Sequence, residues 1–253
     1  MASVVGMEDR EDSVIDGQRM SLLDMVEEKN RVNNKKTLLH RFVFVAKLNQ
    51  NSTEQTEVGE YYDSLFKNLH NNNQNAEGVT GLMLVYPRLC VHVIESSTEM
   101  FQEILKDFCS NIEEGTGHIE NAKVLVLSHD IPVRLYQQWN FRILDIRAPS
   151  GDDYETSEST YKVATDLVIQ LLKLGSYLAK QPKLNLKNAM DSLHEKVPEL
   201  LPQQDIIAYL VETEDSCISK PSDYLNKYYR IPFDVCLESE KSWPMPTRLF
   251  PYN

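Results

Sequence analysis

Cys90 and His92 stand two residues apart in "GVTGLMLVYPRLCVHVIES" (residues 78–96), a spacing that turns both side chains to one face of a β-strand. A thiolate and an imidazole placed in this way could supply two ligands to a metal ion. The sequence offers no second close pair, and His40, His118 and His129 lie far from it along the chain. The expectation is a buried histidine satisfied by a backbone or hydroxyl group, with no metal. Ser128, His129 and Asp130 are consecutive. An acyl-transfer triad needs its members to converge, whereas neighbours on a strand point to opposite faces, and no GxSxG elbow is present. They read as a strand end running into a turn. "GTG" at 115–117 lacks the lysine and hydroxyl of a phosphate-binding loop. The acidic runs at 8–12, 113–114 and 152–158 lack the ordered ligands of a calcium loop. No catalytic constellation emerges, and the chain is not expected to be an enzyme.

Charge narrows the class further. With 26 Lys and Arg against 38 Asp and Glu, the net charge is −12. Such a chain is unsuited to phosphate backbones and is repelled by anionic membrane surfaces, which argues against nucleic acid and membrane as partners. No apolar run approaches the ~20 residues of a membrane span. Cys90, Cys109, Cys217 and Cys236 form no CxxC pair, the pattern of reduced thiols in a cytoplasmic protein.

The elements that must position these residues follow from periodicity. "LHRFVFVAKLN" (39–49) is a strand, and Val58, Tyr61, Tyr62, Leu65, Phe66 and Leu69 recur at helical spacing. Two short strands then flank a tight Tyr86-Pro87-Arg88 turn. Ser96 and Glu99 are spaced as a capping box before a helix whose buried face is Met100, Phe101, Ile104, Leu105 and Phe108. "AKVLVLSHD" and "WNFRILDI" complete the strands. The order strand, helix, strand, strand, helix, strand, strand predicts an α+β, ferredoxin-like antiparallel sheet with both helices on one face.

Around that domain (37–147) the chain divides into four further parts. Residues 1–36 form a polar arm with one short helix, capped by Ser21, whose narrow stripe of Leu22, Met25 and Val26 would dock on this protein or on a partner. Residues 148–159 are an acidic linker, and 160–216 a helical extension. Its strongest helix carries Val163, Leu167, Ile169, Leu171, Leu172 and Leu174, and shorter helices are expected at 186–196 and 203–212. Residues 217–253 are an aromatic, proline-rich tail ending in "SWPMPTRLFPYN", which should lie extended. Trp243, Arg248, Phe250 and Tyr252 are of the types that anchor protein interfaces.

"LHRFVFVAKL", the GVTG hairpin with its terminal acid, the helix after it and "KVLVLSHDIPVRLYQQWNFRIL" together resemble a BLUF domain, the flavin-binding blue-light sensor. The resemblance covers residues 38 to 146. Over its whole length the chain is also similar to a testis-expressed vertebrate branch of that family that is not a photoreceptor. The resemblance implies a ferredoxin-like sheet, two helices that would sandwich an isoalloxazine ring, and C-terminal helices on the opposite sheet face. It also places Phe44 where the family has its electron-donating tyrosine, and His92 where it has the switch glutamine. Gln74 falls on the position of an asparagine that bonds the flavin, and Phe141 on that of a methionine, while Trp139 is kept. A histidine ring cannot offer the donor-plus-acceptor fork of a primary amide. The expectation is a flavin-free core with no cofactor and no photochemistry. The implied function is that of a non-catalytic scaffold for other proteins, axonemal or microtubule-associated ones, in the cytoskeleton of the sperm flagellum. A module that still holds a flavin or other planar ligand is the alternative. A homodimer is the less favoured arrangement, because the 160–180 helix is apolar enough to cover the sheet within one chain.

Overall fold

A computed structural model describes residues 22–32, 37–49, 54–72, 77–113, 117–145, 156–182 and 185–228. The chain divides into two units, Met1–Leu38 and Leu39–Asn253. In the first, helix α1 (Leu22–Val32) leaves Leu22 77% and Met25 57% exposed, so its apolar stripe faces solvent.

The second unit is built on five strands, β1 (Leu39–Leu48), β2 (Thr80–Val85), β3 (Leu89–Ser97), β4 (Ile119–Ser128) and β5 (Trp139–Ile143). They lie in the order β4-β1-β3-β2-β5, with every pair antiparallel except β2 with β5. The first four strands are in the ferredoxin-like order, so the α+β expectation holds and the sheet is mixed through β5. β1 and β3 are central and buried on both faces, and their sequences accordingly read as near-continuous apolar runs.

Side-chain alternation then assigns the two faces. Phe42, Phe44, Ala46, Met83, Cys90 and Ile94 point to the face covered by α2 (Gln55–Asn72) and α3 (Thr98–Glu113). Val43, Val45, Leu82, Leu84, Val91 and Val93 point to the other. That second face is covered by α4 (Thr160–Ala179), α5 (Leu186–Asp191), α6 (Leu193–Lys196) and α7 (Gln204–Glu212). Val163, Leu167, Leu171, Leu174, Ile207 and Leu210 are buried there. Two phenols tie the layers: Tyr86 donates to the Pro202 carbonyl at 2.6 Å and Tyr136 to the Leu171 carbonyl at 3.1 Å.

Several local expectations are revised. Ile169 is 42% exposed, because at 100° per residue it lies across the helix from Leu167 and Leu171. Ser96 does not cap α3. It is a strand residue paired with His40, β3 runs on to Ser97, and the buried Ser96 hydroxyl has no hydrogen-bond partner among the described residues. The helix expected over 186–196 breaks at Ser192 into α5 and α6. The segment expected to begin the tail starts with regular structure: Val124 of β4 donates its N–H to the Ser219 carbonyl, and α8 (Pro221–Tyr228) follows, burying Leu225. The linker between 146 and 155 lies outside the described residues.

Candidate functional site

Register brings the sequence-derived positions into one row. Phe44 of β1 pairs with His92 of β3, His92 with Met83 of β2, and Met83 with Phe141 of β5. The row crosses the floor beneath α2 and α3. Trp139 lies two residues before Phe141 on the same face of β5, which turns its indole towards His92.

His92 is wholly buried, and its Nε2 lies 2.8 Å from the Trp139 indole nitrogen. Indole can only donate, so Nε2 is the acceptor and the neutral ring carries its hydrogen on Nδ1. Nδ1 has no hydrogen-bond partner among the described residues. The ring is enclosed by Tyr62 (centroids 4.9 Å apart, planes at 80°), Phe44 (5.2 Å) and Phe66 (6.0 Å). The expected backbone or hydroxyl partner is thus replaced by an indole, because β5 delivers Trp139 to the spot.

Burial without a counter-charge pushes the His92 pKa down from 6.5 to about 3. Between those values the unfolded chain binds a proton that the folded one refuses, so stability rises with pH across that window. It is complete above pH 6.5 and is lost as pH falls towards 3, at about 1.4 kcal/mol per pH unit. Urea melts at pH 7 and pH 5 should therefore differ by about 2 kcal/mol more in wild type than in His92→Gln. Equal differences in the two proteins would refute the assignment.

Cys90 shares the face of His92, and burial raises its thiol pKa to about 12. A thiol so held stays protonated at neutral pH. Among the described residues no group of three or more His, Cys, Asp or Glu side chains could hold a metal ion. His40 and His129 do meet, but with each other, Nδ1 to Nδ1 at 3.0 Å, and away from His92. His40 Nε2 also lies 2.8 Å from the Thr98 hydroxyl. Asp130, at φ 50°, takes the turn conformation expected of it.

Above this floor α2 and α3 are latched together. The Tyr61 hydroxyl donates to Asp107 (2.8 and 3.0 Å to the two carboxylate oxygens), and the Asn111 amide donates to both residues at 2.7 and 3.0 Å. Burial raises the Tyr61 pKa to about 12 and that of Asp107 above its usual range. Close to this latch in sequence, α2 lies against β5 so closely that a Cβ on Gly59 would sit 2.3 Å from the Phe141 ring.

A second cluster escaped the sequence reading. Glu95, wholly buried, accepts from Arg41 Nε at 2.8 Å and Nη2 at 2.7 Å, from the Thr80 hydroxyl at 3.1 Å, and from the backbone N–H groups of Leu135 and Tyr136. Arg134 adds bonds to the Thr80 hydroxyl and the Glu95 carbonyl. This cluster fixes the 129–138 crossover that carries Trp139 to His92. A signal was present: an arginine inside the apolar run "LHRFVFV" must find a partner.

Gln74, Trp243, Arg248, Phe250 and Tyr252 lie outside the described residues. Among the described residues no helix is long and apolar enough to cross a membrane.

Solved structures similar to this chain include "BlrP1 BLUF" (14% identity, TM-score 0.35, 64% of this chain and 92% of that one). "BlsA ground state" (14%, 0.33, 66% and 92%) and "BlrB - a BLUF protein, dark state structure" (15%, 0.32, 43% and 74%) are others. At the level of sequence, residues 38–230 match the family model of testis-expressed protein 47, and the chain belongs to that family.

Proposed function

We propose that this protein is a non-catalytic scaffold of male germ cells that has given up flavin photochemistry and serves as an adaptor in the sperm flagellar axoneme. The observation that carries the reading is the use of the polar atoms beneath α2 and α3 for internal packing. The His92 acceptor is taken by Trp139, and Phe44 presents a phenyl ring where a redox-active phenol would stand. An isoalloxazine does not fit these residues. The tilted rings of Phe44 and Phe108 lie 4.3 Å apart, Phe66 and Trp139 meet at 5.3 Å, and Tyr61, Asp107 and Asn111 bridge the two helices. Lost chemistry leaves a rigid platform, and the exposed stripe on α1 and the aromatic tail supply surfaces for other proteins. The family's testis expression supports the cell type.

Two measurements test the reading. Purified protein mixed with FMN or FAD and then desalted should show no bound flavin absorbance; a retained yellow species would sink the loss of the cofactor. Separately, deleting residues 1–36 or 240–253 should release the protein from the detergent-resistant cytoskeletal fraction of sperm. Full retention of both deletion variants would overturn the adaptor role of the arms.

A further inference from the structure

Among the described residues β5 ends the sheet, and no described strand lies along its outer edge. Gln138 offers its carbonyl to Gly81 N–H and Leu144 donates its N–H to Val85, so the even-numbered residues 138–144 face β2. By alternation the N–H and C=O groups of Trp139, Phe141 and Ile143 face outward. A groove of about 470 Å³ runs beside them, lined by Asn140, Arg142 and Ile143 of the strand and Leu186, Lys187 and Met190 of α5. An edge of this kind is a template for another strand.

We propose that the occupant is β5 of a second copy, paired antiparallel about Phe141 in a two-fold dimer with a continuous ten-stranded sheet. The strand "WNFRI" alternates apolar and polar residues symmetrically about its centre. Antiparallel self-pairing sets Phe141 opposite Phe141 and Trp139 opposite Ile143, covering side chains that one chain leaves half-buried. On the other face it sets Asn140 opposite Arg142. Each of the three outward-facing residues then exchanges both of its backbone bonds, and an isologous contact closes without leaving a further edge at this side. Charge favours the same site. The chain carries −12, so two copies repel over most of their surfaces, whereas the described lining of the groove carries Arg142 and Lys187 beside Asp191 and adds nothing to that negative charge. The dimer stands independently of the adaptor reading.

The test is amide hydrogen exchange on the full-length protein over a hundredfold range of concentration, with mass measured by light scattering. The amides of Phe141 and Ile143 should slow at least tenfold at high concentration as the mass doubles, while the inward amides of Arg142 and Leu144 stay unchanged. Ile143→Pro removes an outward N–H only and should remain single-chain. A single-chain mass at every concentration overturns the proposal. So does protection that ignores concentration, which would mean cover by the same chain, or a dimer that survives in folded Ile143→Pro. If that variant does not fold, the wild-type exchange profile decides.

Discussion

Glu95→Ala should lower the stability of the protein by about 3–5 kcal/mol, the range for removing one partner of a buried ion pair. The carboxylate is wholly buried and the Arg41 side chain is 15% exposed, so solvent cannot take over the interaction. Alanine leaves the guanidinium without its partner and orphans the N–H groups of Leu135 and Tyr136. For a domain of this size the loss corresponds to a fall in Tm of roughly 10 °C. Glu95→Gln keeps the shape and one acceptor oxygen and should fall between alanine and wild type. Removing both charges, as Arg41→Met with Glu95→Gln, should recover part of the loss, since the cost of the single variant is largely that of an unpaired charge. Thermal melts supply the magnitudes, and exchange of the 131–138 amides supplies the location. A loss below about 1 kcal/mol would mean that water enters the site and the pair is effectively exposed.

The effect should also reach His92. The crossover held by Glu95 delivers Trp139, so loosening it frees the indole from the imidazole. Trp139 fluorescence in Glu95→Gln should respond below the unfolding temperature, which a purely local loss would not produce.

The legible and illegible parts of this fold divide along physical lines. Periodicity located the strands and the buried faces of α2, α3 and α4 because those residues repeat with the element that carries them. The pairing of Phe44 with His92 is a matter of register between strands far apart in the chain, which no single stretch of sequence displays. The donor to His92 comes from a strand 47 residues away, so a search for backbone or hydroxyl partners could not find it. Glu95 reads in the sequence as the terminal acid of a hairpin; its partners include groups 54 residues before it and about 40 after it. Ser96 and Glu99 matched a capping box, but pairing of Ser96 with His40 outweighed the local preference. Helix α8 was missed because only one turn of apolar residues marks it, too little for propensity without the packing of Leu225.

Gly81→Ala should be the most damaging single-methyl change in the sheet, with an expected loss of about 3 kcal/mol or more. Gly81 has φ 151°, a conformation that L side chains rarely adopt. A Cβ there would sit 2.0 Å from the Val93 carbonyl oxygen and 3.2 Å from the Ile94 Cα. Those atoms belong to the backbone of a central strand, so they cannot rotate aside as a side-chain end would. β2 must move away from β3, and β5 is drawn with it, because Gly81 N–H donates to the Gln138 carbonyl. Gly59→Ala is the informative contrast. Its new methyl meets the Phe141 ring, a side chain that can shift, so its cost should be the smaller, about 1–3 kcal/mol. Chemical denaturation of the two variants side by side gives the comparison. If Gly81→Ala proved no worse than Gly59→Ala, the close approach of β2 to β3 would not be a fixed feature of the sheet. Gly81 of the GVTG motif lies inside β2, where the absence of a side chain lets Trp139 sit directly across from it. The motif thus positions the one hydrogen-bond donor that His92 receives among the described residues.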